Sequence, residues 1–117
     1  MFSNGLEEGL MRSLMSFFDK NHNKSVIIEW KDRTKIKVLL DTFYETDNGL
    51  EVEEGGYEEY YACAITIQEV INLPNELIQS INYPTRSEIK VGVGTEISYH
   101  NAPERIYTLS GEMVWEK

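Results

Sequence analysis

Six carboxylates, Asp47, Glu51, Glu53, Glu54, Glu58 and Glu59, crowd the stretch DNGLEVEEGGYEEYY, together with three tyrosines, three glycines and no positive charge. Three chemistries suit such a set: a hard-cation site, acid–base catalysis by paired carboxylates, or docking of a basic partner. An EF-hand needs side-chain oxygens at positions one, three and five, glycine at six and glutamate at twelve. With Gly49 at six, Tyr44, Thr46 and Asn48 take the first three places and Gly55 the twelfth, so the essential carboxylates are missing. A looser calcium site over 47–54 is the residual alternative, and no metal or cofactor is expected. Acid–base work requires a cleft that raises one carboxyl pKa. Glu53 and Glu54 stand beside Gly55-Gly56, which points to exposure and ionised carboxylates.

Other chemistries lack their parts. His22 and His100 stand beside asparagines in expected turns, far from Cys63, and give no ligand pair at zinc spacing. Cys63 sits in an apolar alternating run and reads as a small buried hydrophobe. No G-x-S-x-G occurs, and Gly92-Val93-Gly94 lacks the third glycine and the helix that a phosphate-binding turn needs. The expectation is a non-enzyme, because no nucleophile, base and orienting group assemble.

Charge placement is the more informative feature. Net charge is −9, from 20 acids against 11 bases. That disfavours polyanionic partners such as nucleic acid or anionic lipid. From Val38 to Thr85 there is no Lys or Arg, while six bases, Lys20, Lys24, Lys31, Arg33, Lys35 and Lys37, lie just upstream. Arg33, Lys35 and Lys37 are expected on one face of a strand, where they would discourage edge pairing or meet the acidic hairpin. Glu45, Asp47, Glu51, Glu53, Glu54, Tyr57, Glu58, Glu59 and Tyr61 are the candidate partner-binding residues. Tyrosine gives contact area at low entropic cost, and carboxylates steer a basic protein. Strand alternation separates Tyr60 from Tyr61, so one of the two belongs to the core.

These side chains need a scaffold. Leu6, Leu10, Leu14 and Phe18, with Met11 and Phe17, draw one apolar stripe, so residues 5–19 are expected as a helix capped by Asn4 with Glu7 at its third position. Alternating apolar residues predict strands at 26–30, 34–44, 50–52, 57–67, 88–93, 96–99, 105–109 and 113–115, and Asn48-Gly49 predicts a tight hairpin turn. Leu39 and Phe43 break alternation, which predicts burial on both sides or a bend. Pro74 opens an expected short helix over 74–81. The expected fold is a single α+β domain over 1–117, mainly β. An N-terminal amphipathic helix packs on a strongly bent antiparallel sheet or small barrel of seven or eight short strands, with barrel-like strands over 25–73 and additional strands over 88–116. One cysteine, no basic leader and no long apolar run point to a cytoplasmic protein.

A helix followed by VIIEW, the turn KDR, the long strand TKIKVLLDTFY, the TDNGLEV hairpin and YYACAITIQEVINL resembles the Sm-like fold over residues 5–74, and other SH3-type small barrels share that order. Asp47 and Asn48 match part of the family's Asp/Asn set. Gln68-Glu69 stand where its glycine step is expected, and Arg33 stands where a hairpin glycine is usual. The resemblance implies a barrel and, as an alternative function, an oligomeric module contacting RNA through Lys31, Arg33, Lys35 and Lys37. The residues themselves favour an acidic protein-binding domain, such as an immunity-type inhibitor of a basic toxin. A small ligand-binding barrel or enzyme of unknown substrate is the third alternative.

Overall fold

The computed structural model describes residues 4–21, 23–47, 49–53, 55–73 and 90–117. Its helix α1 spans Gly5–Lys20. The Asn4 side chain accepts a 2.8 Å bond from the Glu7 amide, which satisfies one of the donors that a helix start leaves open. At the other end the Asn21 amide donates to Phe17 O at 2.9 Å, and Asn23 takes a positive φ. The helix begins where the sequence predicts and runs one residue past its expected end at 19. Leu10, Met11 and Leu14 are fully buried on the face turned to the sheet.

Six strands follow: β1 Ser25–Glu29, β2 Lys35–Asp47, β3 Glu59–Asn72, β4 Gly94–Ile97, β5 Arg105–Thr108 and β6 Met113–Glu116. They form one antiparallel sheet in the order β4-β3-β2-β1-β5-β6. The sheet is open: among the described residues its end strands, β4 and β6, do not pair. A fully alternating set makes the helix-facing core: Val26 and Ile28 of β1, Ile36, Val38 and Leu40 of β2, Cys63, Ile65 and Ile67 of β3, Ile97 of β4 and Ile106 of β5. Trp30 joins them, and its indole donates to Asn101 O at 2.8 Å. The α+β, mainly β class is therefore observed.

Some expected elements are absent. Leu50–Val52 is not a strand, since the described residues between Asp47 and Glu59 pair with nothing in the sheet. Alternation alone cannot make a strand without a partner edge. The expected tight Asn-Gly hairpin is a longer connection, although Gly49 does take φ +84 and its amide donates to Asp47 Oδ1 at 2.8 Å. Residues 90–93 form a turn, with Gly92 at φ +87 donating to Ile67 O. The described residues thus hold six strands where seven or eight were expected. The 74–81 helix and the start of the 88–116 strands lie outside the described residues.

The bend in β2 has a specific cause. Leu40 pairs with Ile65 and Thr42 with Ala64, which leaves Asp41 as an extra residue. A bulge of one residue reverses the phase of alternation. Before it, even-numbered residues face the helix; after it, Phe43 does, meeting Phe18 edge-on at 5.6 Å. Tyr44 is thereby sent to the opposite face.

Candidate docking surface

β2 and β3 outrun their neighbours. β1 pairs with β2 only as far as Leu39, and β4 pairs with β3 only from Cys63. Beyond that point Tyr44, Glu45, Thr46 and Asp47 pair with Ala62, Tyr61, Tyr60 and Glu59 and with no other described strand. Four residues at about 3.3 Å each make an arm roughly 13 Å long.

The arm has two unlike faces. Alternation places Glu45, Asp47, Glu59 and Tyr61 on the helix side. Glu45, Asp47 and Glu59 are exposed there, and Tyr61 packs against the core. Asp47 stands directly opposite Glu59, a like-charge pair that destabilises a sheet. Glu51 and Glu53 are exposed in the connection at the arm's end, Tyr57 is half-buried, and Glu54 lies outside the described residues. Tyr57 is held as a neutral phenol by desolvation, by a hydrogen bond with Glu59 and by the negative charges of Glu59, Asp47 and Glu45, all of which raise its pKa.

The other face of the arm carries Tyr44 and Tyr60, and their partners come from β4 and the segment after it, which also packs beside α1. Tyr44 donates its hydroxyl to Glu96 Oε2, and Tyr99 donates to Glu58 Oε2. His100 Nε2 stands 2.7 Å from Glu58 Oε1. The Tyr60 ring meets Tyr99 edge-on at 6.1 Å and His100 at 4.5 Å. A 3₁₀ helix, Tyr99–Asn101, sets these side chains. Ser98 caps it by accepting from the His100 amide, while Asn101 Oδ1 accepts from Ser98 N at 2.8 Å and Asn101 Nδ2 donates to Glu96 O at 2.8 Å. Burial is the first cause, and the bonded carboxylates the second, that raises the Tyr44 and Tyr99 pKa values well above the ordinary phenol range. Tyr60 is raised by burial and by the charges of Glu96, Glu58 and Asp47. Beside the cluster, Asp41, Tyr44, Thr95 and Glu96 line an open cleft of about 350 Å³.

The expected surface is therefore divided. Glu58 is committed to Tyr99 and His100, Tyr61 faces the core, and Glu45, Asp47, Glu51, Glu53 and Glu59 remain presented outward. The sequence reading omitted Tyr44, Tyr60, Glu96, Tyr99 and His100 as an assembly. Glu58 and Tyr99 are 41 residues apart, and nothing local announces their meeting. The Asp41 bulge was the one available signal, through the broken alternation at Phe43.

The basic residues sit at the other end of β2, roughly 40 Å of strand from Asp47. Two expectations about them are corrected. Arg33 belongs to the β1–β2 turn at φ +77, where its amide donates to Trp30 O, so it does not share a strand face with Lys35 and Lys37. β2 lies between β1 and β3, so its lysines guard no edge and do not touch the acidic connection. Lys31 is exposed in the same turn; Lys35 pairs in register with Glu29, and Lys37 with Glu69. Nearby, Arg105 Nη1 binds Glu29 Oε1 at 2.9 Å, and this hydrogen bond is the main cause raising its pKa.

Cys63 is fully buried, and burial with the charge of Asp41 pushes its thiol up to about 12. Among the described residues no three His, Cys, Asp or Glu side chains converge as metal ligands would, and no helix is long and apolar enough to cross a membrane.

Residues 9–117 match the model of the family described as cognate immunity protein YxxD, and the chain belongs to that family. No curated protein and no solved structure matches it.

Proposed function

We propose that this chain, as a member of the cognate immunity protein YxxD family, is a non-catalytic cytoplasmic inhibitor that neutralises a basic toxin by laying its acidic arm on the toxin's cationic surface. Family membership implies binding to a cognate toxin. The basicity of that toxin is inferred from the arm. The observation that carries it is the opposition of Asp47 and Glu59 across the ribbon, with Glu45 beside them and Glu51 and Glu53 beyond. Like charges held together cost the free protein stability, and a cationic partner relieves that cost on binding. Lysine and arginine on the partner therefore gain twice, from attraction and from cancelled repulsion.

The test reverses Glu45, Glu51, Glu53 and Glu59 to Lys. Glu58 is spared, because its hydrogen bond from Tyr99 and its close approach to His100 are part of the fold. Binding to the purified cognate toxin is measured by calorimetry at two salt concentrations. The expected result is at least a 100-fold loss of affinity with an unchanged circular dichroism spectrum, and a wild-type affinity that falls as salt rises. Unchanged affinity in the reversed protein refutes the acidic arm as the contact. Binding that disappears on nuclease treatment, or on neutralising Lys31, Arg33, Lys35 and Lys37, transfers the contact to the basic end.

A further inference from the structure

Between β2 and β3 the chain exposes Leu50 at 38% and Val52 at 70%. Glu51 and Glu53, both exposed, alternate with them. This connection caps a ribbon only two strands wide, at the end of β2 farthest from the β1–β2 turn. It presents exposed aliphatic and anionic groups interleaved at the end of that ribbon. The connection is also shaped from within. Gly49 and Gly56 adopt φ +84 and +88, and a Cβ added to Gly56 would lie 3.7 Å from Leu50 Cδ1, so Leu50 folds back over the Gly56 backbone. Val52 extends outward. Aliphatic side chains on a soluble surface are ordinary when scattered. Here two of them stand within one short connection, beside the acids of a surface already assigned to a partner.

We propose that this connection is a plug: it enters a concave, cationic cleft of the cognate toxin, with Val52 as the apolar anchor and Glu51, Glu53 and Asp47 pairing with lysines and arginines of the cleft wall. The inference rests on the docking reading above and goes further by fixing its geometry. A flat contact would engage the flank, Glu45 and Glu59, and leave Val52 in solvent. A cleft engages the end of the arm and desolvates Val52. Two facts favour the cleft. A projecting ribbon only two strands wide fits a concavity better than a plane. Carboxylates are worth most where low-dielectric walls focus a positive field, and such focusing belongs to clefts. A loop folded on itself also pays less ordering entropy on insertion.

The experiment measures affinity of the full chain for the purified cognate toxin by calorimetry. Val52→Ser is expected to weaken binding at least ten-fold and Leu50→Ser/Val52→Ser about 100-fold, as for anchors at the centre of an interface. The control Val91→Ser/Leu109→Ser, which removes exposed aliphatics elsewhere, stays within two-fold of wild type. Val52→Ser alone guards against a structural role of Leu50 over Gly56. Wild-type affinity in both loop variants overturns the plug. If the four-carboxylate reversal still abolishes binding in that case, the arm docks by its flank and the broader reading survives. If that reversal also leaves affinity unchanged, both fall together.

Discussion

The two ends of β2 are built on opposite electrostatic rules. At the Lys35 end every strand cation faces an anion: Lys35 stands opposite Glu29, Lys37 opposite Glu69, and Arg105 binds Glu29 while approaching Glu116 at 3.8 Å. That end is also flanked, since β1 and β5 extend the sheet beside it. At the Asp47 end the ribbon stands two strands wide, and acid faces acid. A self-sufficient fold would choose the first arrangement at both ends. The second is tolerable in a protein whose surface is completed by something else, and the cost of holding it falls on the body.

That division predicts that stability and binding separate cleanly. The largest effect belongs to the body. Leu14→Ala removes a fully buried side chain from the helix–sheet interface and is expected to lower unfolding free energy by about 3 kcal/mol in chemical denaturation. Affinity of the folded fraction for the toxin should not change. A parallel loss of affinity would mean that the arm is positioned by α1 and that the two regions are one unit.

The junction between the regions is the next place to press. Tyr99→Phe deletes the hydrogen bond to Glu58 that ties the 3₁₀ helix to the entry of β3, and should cost about 1 kcal/mol. The same variant reports on pH. Tyr44 and Tyr99 bind their protons more tightly folded than unfolded. Their stabilisation is therefore complete below the ordinary phenol pKa of about 10 and is lost as pH rises through their raised folded values. Absorbance titration of tyrosinate near 295 nm should show late-ionising groups in the wild type and one fewer in Tyr99→Phe. Simultaneous ionisation of every tyrosine near pH 10 would show that the junction is open in solution.

Legibility follows the same division. The helix cap, the apolar stripe and the strands of the body were readable because each is a local pattern: Asn4 three residues before Glu7, and Val26, Ile28 and Ile36, Val38, Leu40 in alternation. The arm was misread where local pattern lacks a partner. Leu-Glu-Val-Glu alternates like a strand but meets no edge. Glu58 and Glu59 look equivalent in sequence, yet one is spent on Tyr99 and His100 while the other faces Asp47. Arg33 reads as the first residue of a charged stripe until its positive φ removes it from the strand. The two tyrosines at 60 and 61 were separable from the alternation of β3 itself, since Tyr61 continues the core series Ile67, Ile65 and Cys63, whereas the face taken by Tyr44 depended on the bulge at Asp41. The acidic region itself was visible from composition; which acids are presented outward was decided by pairs distant in sequence.

The smallest effect gives the sharpest contrast, because its two readouts move in opposite directions. Asp47→Asn removes one charge from the like-charge pair with Glu59 and keeps an oxygen that can accept from the Gly49 amide, so the turn into the connection is preserved. The free protein should gain a few tenths of a kcal/mol in denaturant unfolding, since like charges opposed across a sheet cost about that much. Affinity for the toxin should fall several-fold, with a weaker salt dependence, because one anion is lost from the contact. A variant that is more stable and binds less well is what a surface held ready for a cation must give. If Asp47→Asn destabilised the protein and left binding intact, the carboxylate would be serving the turn, and the acidity of the arm would belong to the fold alone.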